Sequence, residues 1–355
     1  MGFQHVRPYN RFNLSRYFAV QTGEHTLSGT DDNVTIAAVD MTKAVLEFSY
    51  EATDSTDEAD RNMCQGEITS STTLRFRKFS STGSVIIRWF VWEAKPHVPL
   101  TVQRFTKQCG NSGTLPRNET ITSVSTSNSF VLVSQRAEAG TDPPKQNNII
   151  RAKLTSATNV ECDMDLTNSV SVTCGVQVVE HLDWDVQTGD KTESGASGNS
   201  TLSPSIAEGE GYVCASGEFN QSTLDGDEIM KVWQNSDTTI NFARPTASGQ
   251  WIMTWYAADT NGDFFTQGKN QVITSGNSSQ ETSVTTPTVQ NKTFLKLGSI
   301  LNSYCPRSTT GNANGEDCLV KLEFGTDPLD DNKINRDGTP AFDTETKTAR
   351  HEISA

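Results

Sequence analysis

The chain has few of the groups from which a reaction centre is built. Its five histidines, at positions 5, 25, 97, 181 and 351, are scattered and form neither an HxH nor an HExxH arrangement, so a zinc hydrolase lacks its ligand spacing. Seven cysteines include no CxxC pair, which removes zinc-knuckle spacing. There is no GxSxG elbow, no GxxxxGK[ST] loop and no GxGxxG following a strand, and hence no sequence basis for a cofactor. Basic residues are also in deficit. Lys and Arg number 29 against 43 Asp and Glu, a formal net charge of −14, and such a surface repels phosphate backbones and anionic lipid. No run approaches the roughly 20 apolar residues of a membrane span. Phe3, Val6, Tyr9, Phe12 and Leu14 lie too far apart for a secretory h-region. These absences predict a protein that binds neither nucleic acid nor membrane and is made and assembled in a cytoplasm.

Helical periodicity is missing as well, and alternation takes its place. In Val170-Ser-Val-Thr-Cys-Gly-Val-Gln-Val178 every second residue is apolar or Cys, the period of a half-buried strand. Ile150, Ala152 and Leu154 share one face of their segment while Arg151 and Lys153 share the other. The pattern recurs. Val172–Glu180 aligns with Val85–Glu93 and with Trp251–Asp259, each ending in an acid, and Ile68–Leu74 aligns with Leu154–Val160. Repeat starts near 36, 121, 203 and 285 are spaced by 85, 82 and 82 residues. A fixed period of this kind identifies tandem modules. The predicted fold is all-β: four tandem β-sandwich repeats of about 82–85 residues after an N-terminal arm, divided as 1–33, 34–115, 116–200, 201–283 and 284–355. The tracts 95–117, 188–203 and 276–287, with their Pro, Gly, Ser and Thr, read as linkers.

The arm carries Arg7, Arg11 and Arg16 with no acid before Glu24, and Ser15–Gln21, including Tyr17, Phe18 and Val20, resembles a closing strand such as Ile87–Glu93. Residues 346–355 are polar and read as a frayed end, which would leave the fourth repeat incomplete. Arg7, Arg11, Arg16, Tyr17, Phe18 and Val20 are therefore expected to join subunits, by adding a strand to a neighbour's fourth repeat or to that of the same chain. Cys162 and Cys174 flank a turn and suit either a cross-strand disulfide or two buried reduced thiols. Cys305 and Cys318 bracket a loop and are candidates for a second disulfide. Paired carboxylates such as Asp163/Asp165 and Asp183/Asp185 invite a glycosidase reading, and pairs of this kind are ordinary on a solvated sheet face. Asp259–Asp263 departs from a calcium loop at its last ligand position and reads as a turn.

The texture of Ser129–Arg136, Arg151–Glu161 and Val176–Glu180 resembles repeat modules in structural proteins of tailed bacteriophages. This resemblance implies a non-enzymatic virion component, a tail, collar, fibre or capsid-decorating protein, whose partners are other virion proteins and copies of itself. A host-surface glycan is the partner in the alternative reading as an adhesin, with Trp92, Trp184 and Trp233 as contacts. A polysaccharide-degrading enzyme is the third reading.

Overall fold

The computed structural model describes residues 17–263 apart from 53–61, 82, 111–114, 139–148, 165–170, 221–228 and 246, and beyond 263 it describes the backbone of strands between 266 and 354. Arg7, Arg11, Arg16, Asp165, Cys305 and Cys318 lie outside the described residues.

The described regular structure is strand apart from a 3-10 turn at Thr126–Asn128, and it forms eight three-stranded antiparallel sheets, two to each of four units. In unit 1, β1 (Phe18–Leu27), β6 (Val85–Ala94) and β3 (Ala44–Ala52) make one sheet, and β2 (Asp31–Thr35), β5 (Thr73–Arg77) and β4 (Gln65–Ser70) make the other. Unit 2 repeats this order with β7 (Leu100–Cys109), β12 (Val172–His181) and β9 (Ser129–Ala137), opposite β8 (Arg117–Thr120), β11 (Asn159–Asp163) and β10 (Arg151–Ser156). Unit 3 does so with β13 (Asp185–Glu193), β18 (Trp251–Asp259) and β15 (Gly211–Phe219), opposite β14 (Ser197–Thr201), β17 (Thr239–Ala243) and β16 (Lys231–Ser236). Unit 4 has β19 (Thr266–Ile273), β24 (Lys347–Ser354) and β21 (Phe294–Leu297), with β20 (Ser279–Ser283), β23 (Lys333–Gly338) and β22 (Val320–Phe324).

The last strand of each unit is its centre, which explains why β6 is apolar on both faces: it is flanked by β1 and β3 and covered by the second sheet. Hairpins carry the same irregularity in three units, a register shift between Ile68 and Ser70, Leu154 and Ser156, and Gln234 and Ser236. Equivalent glutamines tie the first strand to the following loop. Gln21 bonds both backbone groups of Ala37, Gln103 both of Thr122, and Gln187 the N–H of Ser203 and the carbonyl of Pro204.

Three expectations change. The segments at 95–117, 188–203 and 276–287 contain strands: β7 and the start of β8 in the first, most of β13 and all of β14 in the second, β20 in the third. Each unit therefore begins one or two strands earlier than the apolar pattern suggested, unit 2 by β7, unit 3 by β13 and β14, and unit 4 by β19 and β20. The strand holding Phe18 and Val20 runs antiparallel to β6 of its own unit, from Phe18 opposite Ala94 to Leu27 opposite Val85. It is the first strand of unit 1 and not a spare closing strand. Finally, Lys347–Ser354 is no frayed end: β24 sits between β19 and β21 and closes unit 4.

The units pack head to tail. β4 of unit 1 lies on β9 and β12 of unit 2, and β10 of unit 2 lies on β15 and β18 of unit 3. β16 of unit 3 touches β24 of unit 4, and β22 of unit 4 lies on β3 and β6 of unit 1. Equivalent strands meet at all four junctions, so the chain closes on itself as a ring.

Candidate functional site at the junctions between units

A fold of repeated units places its recurring chemistry where one unit meets the next. At the first junction the Ser134 hydroxyl of β9 accepts the Gly66 N–H at 3.2 Å and donates to the Gly66 carbonyl at 3.1 Å. At the second, the Ser216 hydroxyl of β15 does the same to Ala152, both bonds at 2.9 Å. Ser134 and Ser216 are equivalent by register, opposite Gly175 and Thr254 of the central strands. Gly66 and Ala152 are the second residues of β4 and β10, the outer strands of their sheets. An outer strand has one row of backbone groups unpaired by its own sheet, and here the next unit's serine satisfies two of them.

Neighbouring positions vary the theme. Beside the first clamp, Arg136 donates to Gln65 at 3.1 Å, and beside the second, Arg151 faces Glu218 at 3.5 Å, so donor and acceptor have exchanged units. Gln177 bridges both backbone groups of Leu46 across the first junction, where its counterpart Tyr256 accepts the Leu154 N–H across the second. Gly175 makes a close approach at the first junction: a Cβ there would stand 3.3 Å from both the Gly66 carbonyl oxygen and the Ser134 hydroxyl, which would have to give by a few tenths of an ångström. The same junction holds a groove of about 370 Å³ lined by Met41, Ile68, Arg104, Phe105, Thr106 and Gln177 among others. Arg104 donates to the carbonyls of Met41 and Ala44, and burial lowers its guanidinium to about 10.

Replacing Ser134 with alanine deletes only the hydroxyl oxygen and removes both bonds. Gly66 is then left with a buried N–H and C=O, at about 1–3 kcal/mol for each unsatisfied group before relaxation. We expect a loss of about 2 kcal/mol in equilibrium unfolding, and a variant as stable as the parent would show that the clamp contributes nothing.

A second cluster joins units 1, 2 and 3. Trp184, in the turn between β12 and β13, is fully buried, stacks on His181 at 4.5 Å between centroids, and donates its indole N–H to Asp263 at 2.8 Å. Phe18 and Phe130 close round it at 6.4 and 6.3 Å. Phe18, expected in a subunit-joining arm, is thus a core residue, with Tyr17 and Val20 packed against the same cluster.

The other candidate residues are dispersed. Trp92 and Trp184 are buried and are not available as surface contacts, while Trp233 is half-buried. Asp163 pairs with Arg151 at 3.3 Å, and Asp183 and Asp185 stand exposed on either side of Trp184. Asp259–Asp263 is a turn, with the Asp263 N–H bonded to the Thr260 carbonyl at 2.9 Å. Among the described residues no group of three or more His, Cys, Asp or Glu is placed to hold a metal ion.

Cys162 and Cys174 are reduced, with sulfurs 3.9 Å apart on facing sheets, and Cys109 adds a third thiol beside them. Hydrogen bonds to Cys109 and Cys162, with burial, push Cys174 well up, while the bond from Cys174 lowers Cys109. All five described cysteines are buried. A water-soluble aromatic disulfide reagent is expected to leave Cys64, Cys109, Cys162, Cys174 and Cys214 unmodified until the protein unfolds; rapid labelling of any of them, located by peptide mass spectrometry, would contradict their placement.

No protein-family model matches the chain, and no curated protein matches it significantly. Among the described residues no helix is long and apolar enough to cross a membrane.

Proposed function

We propose that this chain is a structural component of a tailed-bacteriophage particle, a tail, collar, fibre or capsid-decorating protein without enzymatic activity. Its partners in this reading are other particle proteins and copies of itself. The observation that carries the structural role is the repeated clamp: Ser134 on Gly66 and Ser216 on Ala152 are the same contact made twice by different sequence. Conserving a contact between units while the surrounding residues change is the behaviour expected of a building block, whose task is to hold modules in fixed relation. The resemblance of Ser129–Arg136 and Arg151–Glu161 to phage repeat modules supplies the phage part of the proposal.

The test is immunogold labelling of intact particles released from cells that make the chain, with an antibody raised against the purified protein. Gold at one regular position on tailed particles is the expected result. Particles free of label, with the chain recovered only in the soluble fraction, would overturn the reading.

A further inference from the structure

Three of the four junctions join units consecutive in the chain, the first two across residues 95–99 and 182–184, whereas the junction of unit 4 with unit 1 joins units that are not consecutive. The unit 1 side of that junction is β3. Its Ser49 is opposite Arg88 in the register that places Ser134 opposite Gly175 and Ser216 opposite Thr254, so it occupies the clamp position. Ser49 and Glu51 are buried on this strand with β21 and β22 of unit 4 against it, while Glu47, between Ser49 and the start of the strand, accepts the Tyr212 hydroxyl of unit 3. The face is mixed in character: Phe90, the register partner of Glu47, is fully buried, and the Arg88 guanidinium stands 5.9 Å over its ring. What sets this junction apart is that its two sides are not consecutive in the chain, so it can part without straining a connecting loop.

We propose that this junction is a releasable latch, and that the partner which replaces unit 4 on β3 is the fourth unit of a second copy of the chain. The contact is heterologous, the tail of one unit on the head of the next. A contact of this kind closes a ring when it is made within one chain and extends a filament when it is made between chains. Each added chain would then supply four units joined by the junction already seen within the chain, and no new surface is required. Cis closure is favoured by an effective concentration of order millimolar, so exchange is expected where copies are crowded. This names the partner of the structural role proposed above and rests on that reading only for its biological use.

The experiment is analytical ultracentrifugation of the full-length protein, from about 1 μM to about 1 mM, the concentration at which trans contacts match a tethered one, with Ser49→Trp in parallel. Wild type is expected to pass from monomer to integral multiples of the chain mass. Ser49→Trp blocks the head but leaves the tail intact. Alone it should stay monomeric and sediment more slowly than wild type, because its ring is open, and mixed in equal amount it should cap growth and roughly halve the mean mass of wild-type oligomers. Should Ser49→Trp lose its strand signal in circular dichroism, Ser49→Ala replaces it, with an expected weakening of self-association of about tenfold, the equivalent of one lost hydrogen bond. Wild type that is monomeric throughout, or oligomers whose masses neither variant changes, would overturn the latch. Gold-labelled particles with a strictly monomeric chain would sink this inference alone, and oligomers without particle labelling would sink only the phage reading.

Discussion

Trp184→Ala is expected to destabilise the protein by about 3–5 kcal/mol, the usual range for emptying a fully buried tryptophan site. Three separate losses combine in it. The indole leaves a cavity in a cluster fed by Phe18 of unit 1, Phe130 and His181 of unit 2, and Asp263 after unit 3, so no one unit can collapse to fill it. Stacking with His181, planes 10° apart at 4.5 Å, disappears. Asp263 also loses the N–H that satisfies its carboxylate, whose pKa burial has already raised. Trp184→Phe separates the terms, since it keeps a ring in the cluster and removes only the donor; we expect about 1–3 kcal/mol from it. The measurement is guanidinium unfolding followed by tryptophan fluorescence and by circular dichroism. Because the cluster spans three units, the two probes should shift together. A loss below about 1 kcal/mol for the alanine variant would mean that the junction relaxes freely and that the units are held elsewhere.

The central strands were the legible part of this fold. Val85–Ala94, Val172–His181 and Trp251–Asp259 are buried on both faces and read as apolar runs at a constant spacing. Their partners β7 and β13 were read as linkers for a physical reason. They are outer strands with one solvated face, so β13 alternates exposed or half-buried residues with few apolar ones, and composition cannot distinguish that from a polar connection. The signal that identifies them is spaced and specific. Gln21, Gln103 and Gln187 stand at the same register position and bond the following loop. Gly23 and Gly189 lie opposite Trp89 and Trp255, where a Cβ on Gly189 would come within 2.7 Å of the indole. In units 1 and 3 the glutamine is followed two residues later by a glycine opposite a tryptophan, whereas in unit 2 Gln103 is followed by Phe105 opposite Val176, and this matching of small with large across the sheet is not visible in one strand alone. The serine clamps were hidden by the same logic. In an alternating strand Ser134 reads as the solvated face, and only the packing of the next unit turns that face into an interface. The thiols were half legible: alternation brought Cys162 and Cys174 together, while Cys109 entered through β7, a strand the reading did not include.

Stability is expected to fall by about 3 kcal/mol as the pH drops from about 6.5 to about 4, with His181 as the main cause. The ring is buried against Trp184, and burial first of all lowers its pKa to about 4, with Lys43 acting in the same direction and the Asp183 carboxylate opposing. Its Nδ1 accepts the Asp183 N–H at 3.3 Å, so the neutral ring carries its proton on Nε2, which points at the Asp263 carboxylate from 3.6 Å, too far for a hydrogen bond. In the unfolded chain a histidine binds its proton near pH 6.5. Between that value and about 4 the unfolded state therefore holds the extra proton, and each step down in pH favours unfolding. Above about 6.5 the contribution is complete. Asp263 acts in the opposite sense. Burial raises its pKa, so the folded state takes up that proton earlier than the unfolded one and regains some stability at the acid end of the window. The descent should consequently be steepest in its upper half. His181→Phe keeps a planar ring on Trp184 and cannot titrate, so the difference between wild-type and variant unfolding free energies, measured at intervals from pH 7.5 to 4, isolates the histidine. Curves that run parallel through this range would show that His181 is solvated or already charged in the folded protein, and would move the origin of acid sensitivity to the carboxylates.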